Sequence, residues 1–491
     1  MKFQVFKNGK AVSKFDLFGA YLFGGDGIAI RRAQIHFNNG FVFCKKPTLQ
    51  TAGLTLLWDV DGFGSVLLQT TCLPERDRPY ILNIELARAK LMQIINKREE
   101  WSLFNNTDEQ TKMAKEAQDL FIQAVQNVSE PSTASRLADE SLKRAVVVSE
   151  NLANKQAEVL LEERSKSHGF GRGCLGCVVD PGQINNPRYI KSVLALSGFA
   201  TIPVNWGRIE RRKGEYDFSG VDACVKALSH KRLVIGAGPL LRFSEEHIPA
   251  WLIDSGAGFE KVREAAYRFV SEMVSRYTPT IRAWRIISGL NAFNHFGFSF
   301  EQVLEMTRAA TMAVKTEGNR SLKIIDIANP WGEYYAQSPN TISPLVYVDM
   351  VVQSGINFDA FGLQMQVGKD RPGMHVRDMM QISAVIDLFA PAGKPVHITK
   401  VEVTSKSSGK TDAGKAGGLW HDEWSQTLQA QWLEQFYKIV LSKPFVDTVT
   451  YSHLTDAEDN TIEGSGLLMK ELKPKKSFLV LKKLRKHLFG G

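Results

Sequence analysis

The sequence has 491 residues, 44% of them hydrophobic and 23% charged, which is typical of a globular protein and excludes a disordered or collagen-like chain. The formal net charge of +9 favours an anionic partner such as nucleic acid, but eight Lys or Arg residues, against one acid, lie from Lys470 to the end. The excess charge therefore belongs to one C-terminal helix, and we predict neither nucleic acid nor a membrane as a partner.

Two further features bear on the compartment. The N-terminal stretch MKFQVFKNGKAVSKFDLFGA has no apolar core of signal-peptide length, and no apolar run approaches the roughly 18 residues of a membrane helix. The five cysteines are few and odd in number, as expected in a reducing compartment. We therefore expect a cytoplasmic protein.

Cys174 and Cys177 have the spacing of a metal or redox motif, but no second pair completes a zinc site, and the apolar run around them favours a buried strand.

Residues 1–82 are predicted to form an all-β module. Short apolar runs alternate here with turn signals at Asn8-Gly9, Asn39-Gly40 and Asp61-Gly62. Asn-Gly and Asp-Gly between β-favouring segments are typical of hairpins, because both residue types tolerate a positive φ. The interpretation is a small sandwich or jelly roll, similar in kind to a carbohydrate-binding module.

Residues 83–168 are predicted to form a helical connector. Ile84, Leu91 and Ile94 lie at helical spacing, and the helices are rich in Ala, Glu, Lys and Gln, which are good helix formers. The sequence Glu130-Pro131-Ser132 marks a break between two helices. A solvated connector that packs on its neighbours explains this composition.

Residues 169–491 alternate strand-like runs with helix-length segments, which predicts an α/β fold. A (β/α)8 TIM barrel accounts for eight strands over about 310 residues, whereas a doubly wound open sheet has fewer strands and a glycine-rich fingerprint that is missing after the first strand. Functional side chains of such barrels lie at the carboxyl ends of the strands. The predicted strands are 174–180, 199–206, 232–238, 281–289, 322–329, 358–365, 395–403 and 446–454.

Motifs at these strand ends follow a fixed order. They are Asn205-Trp206-Gly207-Arg208-Ile209-Glu210, Lys213-Gly214-Glu215-Tyr216-Asp217-Phe218, Pro249-Ala250-Trp251-Leu252, Trp284-Arg285-Ile286-Ile287, Gly362-Leu363-Gln364, Ile398-Thr399-Lys400-Val401-Glu402-Val403, Leu454-Thr455-Asp456 and Gly466-Leu467-Leu468. In order and spacing the barrel resembles the family-10 glycoside hydrolases, the retaining endo-β-1,4-xylanases. Residues 1–168 lie outside this resemblance.

The resemblance implies hydrolysis of O-glycosidic bonds in xylan-like β-1,4-glycans. Members of the family place an acid/base Glu after strand 4 and a nucleophile Glu after strand 7, and retention needs the two carboxyls about 5–5.5 Å apart. Those positions are Gly289 and Lys400 in this sequence, and neither residue supplies a carboxylate. Other family positions differ as well, namely Asn205 for a sugar-binding Lys, Gly238 and Arg242 for His and Trp, Gln366 for His, and Ser452 for Trp.

Three carboxylates are candidates for a relocated catalytic role. Glu402 occupies a supporting carboxylate position on strand 7, Glu333 follows strand 5 between aromatic residues, and Asp456 follows strand 8. Lys400 and Glu402 are two residues apart, so they share one face of the strand, and an ion pair between them is the simplest interpretation. A Schiff-base role for Lys400 is a remote alternative, because a nearby carboxylate favours the ammonium form.

Candidate substrate-binding residues are taken from the same strand ends. They are Asn205, Trp206, Trp251, Trp284, Asn291, Gln364, Gln366 and Lys400. The tryptophans can stack on sugar rings, although large aromatics near a barrel mouth are also common packing residues. His295, His397 and Glu333 show no metal-binding spacing, so neither a metal nor a cofactor is expected.

Two functions remain open from the sequence. The first is a xylanase-type hydrolase of family 10 that uses Glu402, Glu333 or Asp456 in place of the usual pair. The second is a catalytically inactive barrel that binds a carbohydrate or a protein partner through aromatic and polar side chains.

Overall fold

The computed structural model describes residues 1–101, 108–167, 169–278, 280–318, 320–409, 412–458 and 460–489. The N-terminal part is all-β, as predicted. Its strands are β1 (Lys2–Gln4), β2 (Phe6–Lys7), β3 (Lys10–Ala11), β4 (Tyr21–Phe23), β5 (Gln34–Asn38), β6 (Phe41–Lys45), β7 (Gly53–Val60), β8 (Gly64–Gln69) and β9 (Tyr80–Ile81). They form sheets of four (β5-β6-β1-β9), three (β4-β7-β8) and two (β2-β3) strands. The three predicted turns each join paired strands, and Asn8, Asn39 and Gly62 have positive φ.

The helical region follows β9 directly. It contains α1 (Leu82–Glu100), α2 (Asp108–Gln126) and the long α3 (Pro131–Ser167), which begins at the predicted break. Residue 168, the predicted end of the connector, lies outside the described residues. Helix α3 buries a continuous stripe that includes Leu142, Val146 and Leu161, so it is a packed element of the core.

The barrel is closed by parallel pairing of its first and last strands. All eight predicted strands are present in the described residues, and each pairs in parallel with its neighbour along the chain. They are β10 (Leu175–Val178), β11 (Phe199–Ile202), β12 (Val234–Ala237), β13 (Ala283–Ser288), β14 (Leu322–Ile327), β15 (Ala360–Val367), β16 (Val396–Val403) and β17 (Val446–Tyr451). The carboxyl ends of the strands therefore surround one mouth.

Helices surround the barrel, and several begin at side-chain caps. Asn186 caps the first of them, and Ser299 and Asp378 each form a capping box with the Gln three residues later. The described helices are α4 (Pro187–Leu196), α5 (Trp206–Ile209), α6 (Ser219–Leu228), α7 (Ala250–Asp254), α8 (Phe259–Tyr277), α9 (Phe300–Glu317), α10 (Pro344–Gln353), α11 (Met379–Asp387), α12 (Gln426–Ser442) and α13 (Lys476–Phe489). Short 3₁₀ helices occupy Glu245–His247, Glu333–Ala336 and Ala390–Ala392.

The N-terminal module packs directly on loops at the barrel mouth. The backbone of β8 exchanges hydrogen bonds with two barrel loops, through Leu67 N to Val376 O at 2.8 Å and Leu419 N to Ser65 O at 2.8 Å. Gly418 has a φ of +115°, and a Cβ there would lie 2.4 Å from Ser65 O, so this close approach requires glycine. One hydrophobic core runs continuously from Phe3 in the module to Leu484 in α13.

Within the described part of the chain, no helix is both long and apolar enough to cross a bilayer.

Candidate active site

Glu402 is the centre of a polar cluster at the barrel mouth. Its carboxylate is fully buried, and Oε1 lies 3.2 Å from Lys400 Nζ and 3.1 Å from His453 Nε2. Gln366 Nε2 donates a hydrogen bond to Oε2 at 2.9 Å. The cluster joins β15, β16 and the loop after β17, so residues from three chain segments meet at one carboxylate.

The strand register explains how Lys400 and Glu402 come together. Gln364 pairs with Lys400 and Gln366 pairs with Glu402, so the four residues alternate on two neighbouring strands. A register shift between Leu363 and Gln364 brings the ends of the two strands into this alignment. The predicted ion pair between Lys400 and Glu402 is therefore present.

The charges around Glu402 fix its protonation state. Burial raises the pKa of this carboxyl, but the charge of Lys400, the interactions with His453 and the hydrogen bond from Gln366 together lower it to about 2. Glu402 is thus a carboxylate throughout the physiological pH range and cannot donate a proton as a general acid.

Gly289 is the residue that the sequence resemblance assigns to the family's acid/base position. It follows β13 with a φ of +66°, a conformation that favours glycine. A Cβ built on Gly289 would lie 2.7 Å from the ring of Phe293 and 2.8 Å from the Cβ of Ala328. The position therefore lacks a carboxylate and has no room for one in this backbone conformation.

A second polar cluster, which sequence reasoning missed, surrounds Asp326 inside the barrel. Ser288 Oγ and Gln364 Nε2 donate to Asp326 Oδ2 at 2.9 and 2.6 Å, and Thr399 Oγ1 donates to Oδ1. Arg285 NH1 lies 3.8 Å from Oδ2. The available sequence signal was an acidic residue, Asp326, between the apolar residues Ile325 and Ile327 of β14, because a buried carboxylate needs partners.

The two other candidate carboxylates lie in separate ion pairs. Glu333 is buried, contacts the guanidinium of Arg377, and accepts a hydrogen bond from Gly373 N at 2.5 Å. Asp456 Oδ2 lies 2.7 Å from Lys475 Nζ, and its Oδ1 accepts from Gly466 N at 2.9 Å. Both contacts tie loops together, since Arg377 belongs to the loop after β15 and Lys475 immediately precedes α13.

The tryptophans and asparagines singled out from the sequence mostly have packing partners. Trp206 is buried, stacks on Phe269 of α8, and its Nε1 donates to Glu210 at 2.7 Å. Trp284 is buried and lies between Ala283 and Arg285, both of which line the barrel interior, so it faces the helical layer. The remaining contacts are Trp251 Nε1 to Glu210 O at 3.1 Å, Asn205 Nδ2 to Glu246 O at 3.2 Å, and Asn291 Nδ2 to Ala328 O at 2.9 Å.

An open groove of about 350 Å³ adjoins the mouth. The loops after β12, β13 and β14 form its walls, and its lining combines aromatic and polar groups. The lining residues are Phe243, Ser244, Glu245, Ala292, Phe293, Asn294, His295, Ser338, Pro339, Asn340 and Thr341. Such a mixture suits a sugar ring, which presents both C–H faces and hydroxyl groups.

Within the described residues, no three His, Cys, Asp or Glu side chains converge in a way that could hold a metal ion.

The closed parallel barrel, with polar side chains at the carboxyl ends of β13, β15 and β16, defines a TIM-barrel protein with a polar mouth. The family model described as Glycosyl hydrolase family 10 matches residues 166–481, and the chain belongs to this family. No curated protein matches the sequence.

Solved structures of xylanases share the fold of the barrel. The native xylanase 10B from Thermotoga maritima is 15% identical, with a TM-score of 0.50, over 67% of this chain and 98% of that protein. A psychrophilic family-10 endo-β-1,4-xylanase is 17% identical, with a TM-score of 0.51, over 66% and 99%. Xylanase10C from Cellvibrio japonicus in complex with xylopentaose is 15% identical, with a TM-score of 0.50, over 64% and 67%. At these identities the likeness establishes the fold.

Proposed function

We propose that the barrel binds a β-1,4-glycan at its mouth and lacks the retaining hydrolysis of family 10. The observation that carries this proposal is the ion pair between the ammonium group of Lys400 and Glu402 at 3.2 Å. Lys400 is the residue that the sequence resemblance assigns to the family's nucleophile position. An ammonium in an ion pair cannot attack an anomeric carbon as a carboxylate does.

The acid/base position supports the same conclusion. Leaving-group protonation requires a carboxylic acid near the scissile oxygen. Gly289 has no side chain, and its positive φ and the ring of Phe293 oppose the addition of one. The resemblance therefore assigns both catalytic positions to residues without a carboxylate, and we expect that replacing one of them does not restore the pair.

Sugar binding does not depend on the missing carboxylates. Gln364, Gln366 and Lys400 supply polar groups at the strand ends, and the adjoining groove offers aromatic and amide side chains. A structural neighbour with the same fold holds xylopentaose, which favours an oligosaccharide of this kind as the ligand.

Hydrolysis through a relocated carboxylate is the second candidate. Glu402 favours it, because a permanently ionised carboxylate at the end of β16 has the charge that a nucleophile requires. Glu333 and Asp456 are the remaining carboxylates proposed for the acid role, although each is held by a cation, Arg377 and Lys475 respectively.

A turnover assay combined with a binding assay separates the two candidates. Purified protein is incubated with xylan and with 4-nitrophenyl β-xyloside, alongside its Lys400→Glu and Glu402→Gln variants and an active xylanase as assay control. We expect no turnover by the wild type or by Lys400→Glu, and a rise in melting temperature with xylo-oligosaccharides. Wild-type turnover that disappears in Glu402→Gln would establish hydrolysis instead, and the absence of any ligand-dependent rise would refute glycan binding.

We also propose a reducing, cytoplasmic location. All five cysteines are free thiols, and Cys44, Cys174, Cys177 and Cys224 are buried. Burial raises the pKa of these four thiols to about 12, so they are unreactive packing residues. Cell fractionation with an antibody against the protein tests this location.

A further inference from the structure

Strand β5 is one edge of the four-stranded sheet in the N-terminal module. On one side it pairs with β6 in a regular antiparallel register, from Gln34 opposite Lys45 to Asn38 opposite Phe41. In the described residues, no strand or isolated bridge pairs with its other side. Every residue of β5 is exposed or half-buried, so this edge is accessible to solvent.

Alternation along the ladder identifies the backbone groups that point outward from this edge. Cys44 of β6 exchanges hydrogen bonds of 2.9 and 3.0 Å with the first residue of the chain, so its backbone groups point toward β1. The adjacent Phe43 therefore points its groups toward its β5 partner His36. By the same alternation, the N–H and C=O groups of Ile35 and Phe37 point away from β6. Within the described part of the chain, no hydrogen bond reaches these four groups.

The strand lacks the features with which natural edge strands avoid association. It contains no Lys, Arg, Asp, Glu or Pro, and its register with β6 is continuous over five residue pairs. The edge of β8 differs, because barrel loops cover it through Leu67 N to Val376 O and Leu419 N to Ser65 O. Among the described strands, β5 is thus a five-residue edge that is neither covered nor charged.

The sequence of β5 is self-complementary about His36. In an antiparallel pair of two copies with a two-fold axis at His36, Ile35 lies opposite the partner's Phe37. Gln34 then lies opposite the partner's Asn38. The outward N–H and C=O groups of Ile35 and Phe37 meet acceptors and donors of the partner, which gives four hydrogen bonds. The apolar pairs share the half-buried face of the strand, and the amide pairs share the exposed face.

The groups at this axis are already ordered in one copy. The His36 ring stacks on Phe43, with 5.1 Å between centroids and 7° between planes. Lys2 Nζ lies over the ring of Phe41, 3.9 Å from its centroid, on the neighbouring part of β6. Because β6 fixes the backbone of β5 and Phe43 fixes the side chain of His36, little conformational freedom is lost when a second strand pairs.

We propose that β5 is a homodimer interface, at which a second copy of this chain extends the four-stranded sheet across a two-fold axis at His36. The mode is β-strand addition, in which backbone N–H and C=O groups supply the affinity and alternating side chains fix the register. Residues 166–481 match the family model and β5 lies outside them, so the inference is independent of the proposed function of the barrel.

Disulfide trapping tests the register of this dimer. His36→Cys places two thiols on the axis, where the Cα atoms are about 4.5 Å apart and within reach of a disulfide. The matched control is Gln34→Cys, which lies on the same exposed face, although its two copies would be about 13 Å apart. Both variants carry Cys72→Ser, because Cys72 is half-buried while the other four cysteines are buried. We expect mild oxidation to give a covalent dimer from His36→Cys alone.

Sedimentation velocity of the full chain tests the association itself. Between about 1 and 100 µM, we expect the wild-type mass to rise toward twice the 54.9 kDa of one chain. His36→Glu sets two carboxylates opposite each other at the axis and should weaken association at least about tenfold. Gln69→Glu adds the same charge at the exposed end of β8 and should leave association unchanged.

Melting temperatures show whether each variant is folded, and the wild-type measurement needs no variant. A wild type that stays monomeric over this range would overturn the inference. So would a dimer that is insensitive to His36→Glu, no cross-link in His36→Cys, or equal cross-linking in the two cysteine variants, because each places the contact elsewhere on the molecule.

Discussion

Lys90 and Asp378 form a buried ion pair, with 2.6 Å between Nζ and Oδ2, across the contact between α1 and the start of α11. Both side chains are almost completely inaccessible to water. Asp378 also accepts hydrogen bonds from Met380 N and Gln381 N, so the same carboxylate caps α11 and binds the connector. The N-terminal part is therefore attached to the barrel by an interaction that neither part can satisfy alone.

Removing the cation of this pair should destabilise the whole protein. In Lys90→Met the carboxylate of Asp378 remains buried without its charge partner, and breaking a buried pair in this way costs about 3–5 kcal/mol. Urea denaturation measures the change in the free energy of unfolding. The control, Lys166→Met, removes an exposed pair with Glu162 on α3 and should leave the denaturation midpoint unchanged. Equal effects of the two substitutions would contradict the importance of the buried pair.

Alanine at Gly289 should be poorly tolerated for two separable reasons. The positive φ costs an L-residue about 1–2 kcal/mol, and contact with Phe293 and Ala328 adds about 1–3 kcal/mol for overpacking. Gly393 has nearly the same φ of +64°, with no atom within 4 Å of an added Cβ, so Gly393→Ala measures the backbone part alone. We expect Gly289→Ala to lower the unfolding free energy further than Gly393→Ala. Matching losses would mean that the site can accommodate a side chain.

The interaction of Lys400 with Glu402 should depend on pH. The folded-state pKa of Glu402, about 2, lies below its value of about 4.3 in an unfolded chain. Stability from this group is therefore complete above about pH 4.3 and is lost as the pH falls toward 2. The difference in unfolding free energy between wild type and Lys400→Met should be largest at neutral pH and shrink through this window. Denaturant titrations at several pH values measure it, and a constant difference would contradict the assigned charge state.

A barrel fragment of residues 169–491 should not fold independently. Without the module, the backbone groups of Val376, Leu419 and His421 lose partners in the segment 63–67, and Asp378 loses Lys90. We expect an insoluble fragment or one without a cooperative thermal transition by circular dichroism. Co-expression with residues 1–167 should restore solubility. A fragment that melts like the full chain would show that the module is an accessory.

The fold was largely predictable because barrel strands are short apolar runs between recognisable helices. Each of the eight predicted strand runs overlaps an observed strand of the barrel. The pairing of Lys400 with Glu402 followed from the two-residue period of a strand, which is a local property of the sequence.

The partners of isolated side chains were less predictable, since they depend on long-range packing. Glu333 was a candidate acid, yet its partner Arg377 arrives on a loop 44 residues further along the chain. Trp206 was expected at the mouth, whereas α8 offers Phe269 as a stacking partner. No local sequence pattern predicted how the module attaches to the barrel, because the attachment consists largely of backbone hydrogen bonds between distant segments.

The hydrogen bond from Leu67 N to Val376 O has a consequence for ligand entry. Val376 belongs to the same loop as Gly373 and Arg377, which contact Glu333. That loop is therefore anchored both to the edge strand β8 and to the segment after β14. The loop loses its conformational freedom when the protein folds and not when a ligand binds. This raises the affinity for a ligand that fits the existing shape and lowers it for a ligand that requires the loop to move. This side of the rim therefore has a fixed shape before any ligand arrives.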